Sequence, residues 1–214
     1  MTNQTIDHPD SAVKAGTRER ILQAARTLFW ERGYNGTSLQ DILQVADAKS
    51  GSFYHFFESK DALLQAVLDL YITSLVPVLI EPAIRATPGS VDRVFAVLEG
   101  YRASLVQTNC TYGCPIGRLA LEIDPESSGS MELIAANFRG WTMAIADLLS
   151  QERSQFPPNT DFVRLARLVL AVMEGGVMQA RAQRSLEPFD AAVGELRRYF
   201  ELLVASKIGN DAAD

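Results

Sequence analysis

The chain has 214 residues, 47 % of them hydrophobic, with a formal net charge of −6. That length suits one domain or a small one joined to a larger one, and the acidity excludes a protein that coats nucleic acid through bulk charge. Residues 1–16 lack the apolar centre of a signal peptide, and the most apolar run, 62–80, is interrupted by Gln65, Asp69 and Pro77, which argues against a membrane span and for a cytoplasmic protein.

Residues 1–16 read as a flexible arm. Thr17 is placed to cap a first helix, whose apolar face is Ile21, Leu22, Ala25, Leu28 and Phe29 and which Gly33 ends. Thr37 with Gln40 has the form of a capping box, so a second helix starts near Ser38 and carries Leu39, Ile42, Leu43 and Ala46. A third, from about Lys49 to Phe56, turns Phe53 and Phe57 inward and leaves Lys49, Ser50, Ser52, Tyr54 and His55 outside. Gly51 within it costs about 1 kcal/mol against alanine, a choice that suits a backbone something else approaches closely. Between Lys14 and Lys60 seven basic residues stand against five acidic ones, so the acidity lies elsewhere.

Ser59 caps a fourth helix with Leu63, Ala66, Val67 and Leu70, beside Tyr71. Pro77 and Pro82 predict a kink or break between Val76 and Pro82. Ser90 is placed to cap a helix bearing Val94, Phe95, Leu98, Tyr101 and Leu105. After the loop from Cys110, Pro115 opens a short helix reaching Glu122 or Ile123. Ile134, Phe138, Trp141, Ile145 and Leu148 mark a long amphipathic helix. Thr160 is placed to cap the next, whose run 165–178 is apolar almost all round and therefore buried on several sides. The last helix, about 188–207, repeats Ala192, Val193, Leu196, Tyr199, Phe200 and Leu203. With its predecessor it has the shape to build a four-helix dimer interface. No segment reads as a strand, so the predicted fold is all-α.

Two capped helices about a tight turn, the second polar, match a helix-turn-helix reader of duplex DNA. The stretch resembles the N-terminal DNA-binding domain of the TetR family of transcriptional regulators. The matching residues are the helix 18–32 ending in Gly33-Tyr34, then Thr37-Ser38, Ile42, Ala46, Gly51, the block Phe53-Tyr54-His55-Phe56-Phe57, and Ser59-Lys60. One departure is Ala48-Lys49-Ser50, where members commonly have valine, serine and lysine in that order. The resemblance implies a three-helix reader over 17–62, a larger helical ligand-binding and dimerisation domain over 63–208, and a tail over 209–214. It places phosphate contacts at Thr37, Tyr54 and Lys60. Exposure at the start of the third helix makes Lys49, Ser50, Ser52 and His55 candidates for base edges, His55 equally suiting a phosphate contact or the space beside Tyr54, and Ser38 and Gly51 are further candidate DNA contacts. Partners so implied are a palindromic operator, a second copy of the chain and a small, largely apolar effector that releases the DNA; no cofactor and no membrane are implied.

Gly113-Cys114-Pro115-Ile116-Gly117 through Leu121-Glu122 resembles one subset of the same family, with Arg118 where asparagine is more usual. For the effector, Tyr71, Phe95, Tyr101, Tyr112, Phe138, Trp141 and Met173 are candidate lining residues, and each also reads as ordinary core. Arg102, Arg118 and Glu122 are the polar groups available to orient a ligand. Cys114 reads as a small buried residue or as a sensor thiolate, activated at a helix N-terminus. With Cys110 it lacks a nearby histidine to complete a metal site. An enzyme is disfavoured, because His8 and His55 are the two histidines and no nucleophile stands at a recognisable spacing from a base. A helical interaction module that does not bind DNA is the remaining alternative.

Overall fold

The computed structural model describes residues 16–211, and among them the regular structure is helical throughout. The predicted arm lies outside the described residues except for Gly16. Helix α1 runs Thr17–Arg32, α2 Leu39–Val45, α3 Ser50–Phe56, α4 Lys60–Leu75, α5 Glu81–Ala86 and α6 Ser90–Gln107. It continues with α7 Pro115–Glu122, α8 Ser128–Ser150, α9 Phe162–Gln183 and α10 Glu187–Asp211. Positions 209–211, read as tail, are the end of α10.

Several caps sit one residue from their expected places. Gly16, with no side-chain bond, precedes α1 in place of a capping Thr17. Ser38 caps α2 and closes a reciprocal box with Asp41, so the pair is not Thr37 with Gln40. Asp161 caps α9 in place of Thr160, accepting from the amides of Val163 and Arg164. Ser90 lies inside α6, and its amide donates to the Glu152 carboxylate at 2.6 Å.

The expected break after Val76 does not occur. Val76–Ile80 is a single π turn that joins α4 to α5 without interruption, the Glu81 amide reaching the Val76 carbonyl. Pro77 and Pro82 bracket the widened turn, which accommodates both rings within one continuous helix. The resulting 27-residue helix, 60–86, is by length and composition long and apolar enough to cross a bilayer, which the reading of Gln65, Asp69 and Pro77 had discounted. In this fold Leu63, Leu64, Val67 and Leu68 are instead buried in protein.

Two apolar cores result. One joins α1, α2, α3 and the first half of α4 to Cys114, Ile116, Leu119, Ile123 and Ile134 of the α7 and α8 region. The other is built by α6, α8, α9 and α10 with the second half of the long helix. Packing therefore does not break at position 62: the reader's core is completed by α7. Phe200 and Leu196, expected at a dimer interface, are buried in the second core, where Phe200 meets Phe95 and Phe156 edge-on. The outward faces of α9 and α10 retain exposed Leu168, Met178, Tyr199 and Leu202.

Candidate functional site

The third helix stands clear of the body because of what is buried beneath it. Phe53 is fully enclosed and Phe57 nearly so. The turn before it is held by Arg20, whose guanidinium donates to the carbonyls of Ala46 and Asp47 at 3.0 and 3.2 Å. Asp47 takes a positive φ of 47°, and the Ala48 amide returns to Leu43. These bonds fix the angle between α2 and α3, and Arg20 was not singled out in the sequence because its partners are backbone atoms.

Lys49 is the extended residue preceding α3. With Ser50, Gly51, Tyr54 and His55 it is exposed, while Ser52 is half-buried. Ser38 is exposed at the start of α2, beside this surface. Apart from its own helix, no described residue lies within 4 Å of where a Gly51 side chain would begin, so no described neighbouring helix requires that glycine. Open space there leaves the backbone accessible from outside.

Two expected phosphate contacts have partners within the protein. Thr37 is 1 % exposed, and its hydroxyl donates to the Gly33 and Leu28 carbonyls at 2.7 and 3.2 Å. It ties the end of α1 to the start of α2 and has no free face for DNA. The Lys60 ammonium donates to the Tyr34 carbonyl at 2.6 Å and sits 4.0 Å from the centroid of the same ring. The bond ties the α1–α2 loop to the start of α4, and partial burial lowers the pKa of the ammonium.

Behind the reader lies a cavity of about 400 Å³, a volume in the range of small-molecule sites. It is walled by α1, α4, α6, α7 and α8. Of the predicted lining residues, Tyr71, Tyr101, Tyr112, Trp141 and Cys114 face it. Trp30, on the less apolar side of α1, lines it too; it donates from Nε1 to the Gly113 carbonyl at 2.8 Å and packs on Tyr112. A tryptophan off the apolar stripe was the sequence signal for that role. Arg26, Ser104 and Asn137 also line the cavity and were not anticipated.

The remaining ligand candidates are elsewhere. Phe95 packs in the second core under the Arg197 guanidinium, and Met173 is core. Phe138 borders a separate hollow of about 320 Å³ between α7 and α9. Arg102 is paired outside with Asp190 at 2.8 Å. Arg118 and Glu122 form a 2.7 Å ion pair that faces the reader, not the cavity. The Arg118 guanidinium donates to the Glu31 and Trp30 carbonyls, and Glu122 accepts the Asn35 amide. Its carboxylate lies against Gly33, whose φ of 83° suits glycine and where a side chain would collide with it.

Cys114 is buried, and burial, reinforced by the nearby Glu174 carboxylate, pushes its thiol far above the ordinary value. The expected activation by the helix N-terminus is present as amides of Ile116 and Gly117, and burial outweighs it. Glu174 in turn is raised by burial, and its Oε1 has no hydrogen-bond partner among the described residues. No group of three histidine, cysteine or acidic side chains among the described residues is placed to hold a metal.

An exposed polar helix seated on a buried aromatic residue, after a clamped turn, is the DNA-reading element of a helix-turn-helix regulator. Comparison with known proteins agrees. The model of the TetR family of bacterial regulatory proteins matches residues 21–67, and that of the LmrA/YxaF-like transcriptional regulator C-terminal domain matches 90–195. An uncharacterised helix-turn-helix transcriptional regulator of Mycobacterium tuberculosis is 32 % identical over 190 residues, 85 % of this chain and 93 % of the relative. A TetR transcriptional regulator from Chloroflexus aurantiacus, 30 % identical, superposes with a TM-score of 0.74 over 86 % of this chain and 94 % of its own. The reduced form of the Escherichia coli repressor NemR, 26 % identical, does so at 0.75 over 86 % and 96 %. This chain belongs to the TetR family of transcriptional regulators and is a DNA-binding protein.

Proposed function

We propose that the chain is a repressor that binds a palindromic operator as a dimer in the cytoplasm and is released by a small, largely apolar effector. Lys49, Ser50, Ser52 and His55 read base edges, while Tyr54 and the backbone near Ser38 and Gly51 meet phosphates. The outward faces of α9 and α10, with Leu168, Met178, Tyr199 and Leu202, join two copies. Their reading helices then enter major grooves roughly 34–36 Å apart.

The observation that carries the effector reading is the double role of α7. Its first residues, Cys114 to Ile116, wall the cavity, while Arg118 and Glu122 at its other end grip the end of α1. A ligand that displaces α7 therefore tilts the reader, and a coupling of about 1–3 kcal/mol changes operator occupancy roughly 5- to 150-fold. A thiolate sensor at Cys114 finds no support in a buried thiol held protonated.

The test begins with selection of the operator from random duplexes by the purified chain. A palindromic site bound by two copies, with binding weakened in a Lys49→Ala, Tyr54→Ala protein, supports the reading. A stable monomer, or unchanged affinity in that folded double variant, refutes it.

A further inference from the structure

We propose that the effector is an organic anion: a flat, apolar, preferably aromatic body carrying one oxyanion, seated with its charge on Arg26 of α1. The inference rests on the cavity being the effector site and names what that site selects. Five rings, those of Trp30, Tyr71, Tyr101, Tyr112 and Trp141, line the space. They offer a large apolar contact area to a planar molecule. No aspartate or glutamate among the described residues lines it, and Arg26 is the one formally charged side chain that does.

The Arg26 guanidinium is exposed at the cavity's edge and makes no hydrogen bond or ion pair with any described residue. Arg26 and Tyr71 line the same cavity, and the guanidinium's charge acts on the phenol. Burial keeps that phenol protonated, and its hydroxyl has no hydrogen-bond partner among the described residues. A free guanidinium fork and a free hydroxyl donor opening onto one cavity suit a carboxylate, a sulfonate or a phenolate. A cation meets the opposite situation, with an arginine at the entrance and no carboxylate on the wall. Because Arg26 belongs to α1, the anion is held by the reader itself while its apolar body lies among α4, α6 and α8. Ligand contact and DNA-reading element are thus joined by one side chain.

Two fluorescent probes separate the claims. 8-Anilinonaphthalene-1-sulfonate carries an anion, and N-phenyl-1-naphthylamine is the same skeleton without it. Gly100 lines the cavity in mid-helix with only Leu79 close by, at 4.0 Å, so Gly100→Phe fills the space while replacing a poor helix former. Both probes are expected to bind the full-length wild type and to lose affinity on Gly100→Phe. Arg26→Gln is expected to weaken the sulfonate about tenfold or more and the uncharged probe by less than about twofold, the difference one charge-assisted contact makes. Equal effects of Arg26→Gln on the two probes overturn the anion preference and leave the cavity reading standing. Failure of both probes to bind, or binding indifferent to Gly100→Phe, overturns the cavity reading and the inference with it.

Discussion

Replacing Arg118 by alanine tests the joint between α7 and the reader. The guanidinium and its partner Glu122 are each about one-fifth exposed, so solvent screens their 2.7 Å contact only in part. The same group donates to the Glu31 carbonyl at 3.1 Å and to that of Trp30 at 3.4 Å, in the last turn of α1, where a cation also meets the negative end of the helix. Losing charge-assisted bonds of this kind and leaving Glu122 half-buried without its cation should cost about 2–3 kcal/mol. For a protein of this size that lowers Tm by about 5–10 °C. Thermal unfolding by circular dichroism measures it, and a cycle with Glu122→Ala should return a coupling of about 1 kcal/mol. An Arg118→Ala protein that melts with the wild type, or a cycle with no coupling, would show that α7 does not grip the reader as described.

Four further outcomes follow from the site. Thr37→Val removes a buried hydroxyl that serves two carbonyls. It should destabilise by about 1–2 kcal/mol and leave operator affinity of the folded protein unchanged; a selective loss of affinity by titration would restore Thr37 to the phosphate contacts. Lys49→Ala should leave Tm unaltered and reduce the slope of log affinity against log salt by about one if Lys49 meets a phosphate, or relax sequence preference at one position if it meets a base; no change in either excludes it from the interface. Cys114, buried and shifted upward, should resist alkylation by iodoacetamide near neutral pH until the chain is unfolded, and rapid native-state labelling, located by mass spectrometry, would contradict this. Glu174 titrates higher folded than unfolded, so its contribution is complete below about 4.5, its ordinary value, and is lost as pH rises. Glu174→Gln should therefore gain on the wild type between pH 5 and 7.5, as read by denaturant midpoints, and a gap that narrows would reverse the assignment.

Helices were legible because apolar residues recur at helical spacing: Phe53 and Phe57 alone fix which side of α3 is inward. Caps were less so, since Thr37 and Ser38, or Thr160 and Asp161, are neighbours of nearly equal capping chemistry, and only the bonds made decide between them. Partners far along the chain left no local trace. Nothing around Arg118 announces that it meets carbonyls 87 and 88 residues earlier, and nothing around Arg102 announces Asp190. The cavity was half readable: Tyr71, Tyr101, Tyr112 and Trp141 line it. Phe95 and Met173 satisfy the same pattern and are core, because one helix face can meet either a void or a neighbour. Arg26 escaped notice because it sits on a helix assigned wholly to the reader.

The π turn at Val76–Ile80 also sets the phase of the helix that contains it. Buried positions along 60–86 are Leu63, Leu64, Val67, Leu68, Leu75, Ile80 and Ala83, and the five-residue step from Leu75 to Ile80 coincides with the widened turn. In a regular α-helix a five-residue step turns about 140°; the widened turn absorbs one surplus residue, so Ile80 and Ala83 stay on the side of Leu75 and reach the same second core. Were that turn to tighten into regular α-helix with no residue removed, Ile80 and Ala83 would swing about 100° away from the flank that Leu75 presents, so the irregularity holds both halves of the rod in one register.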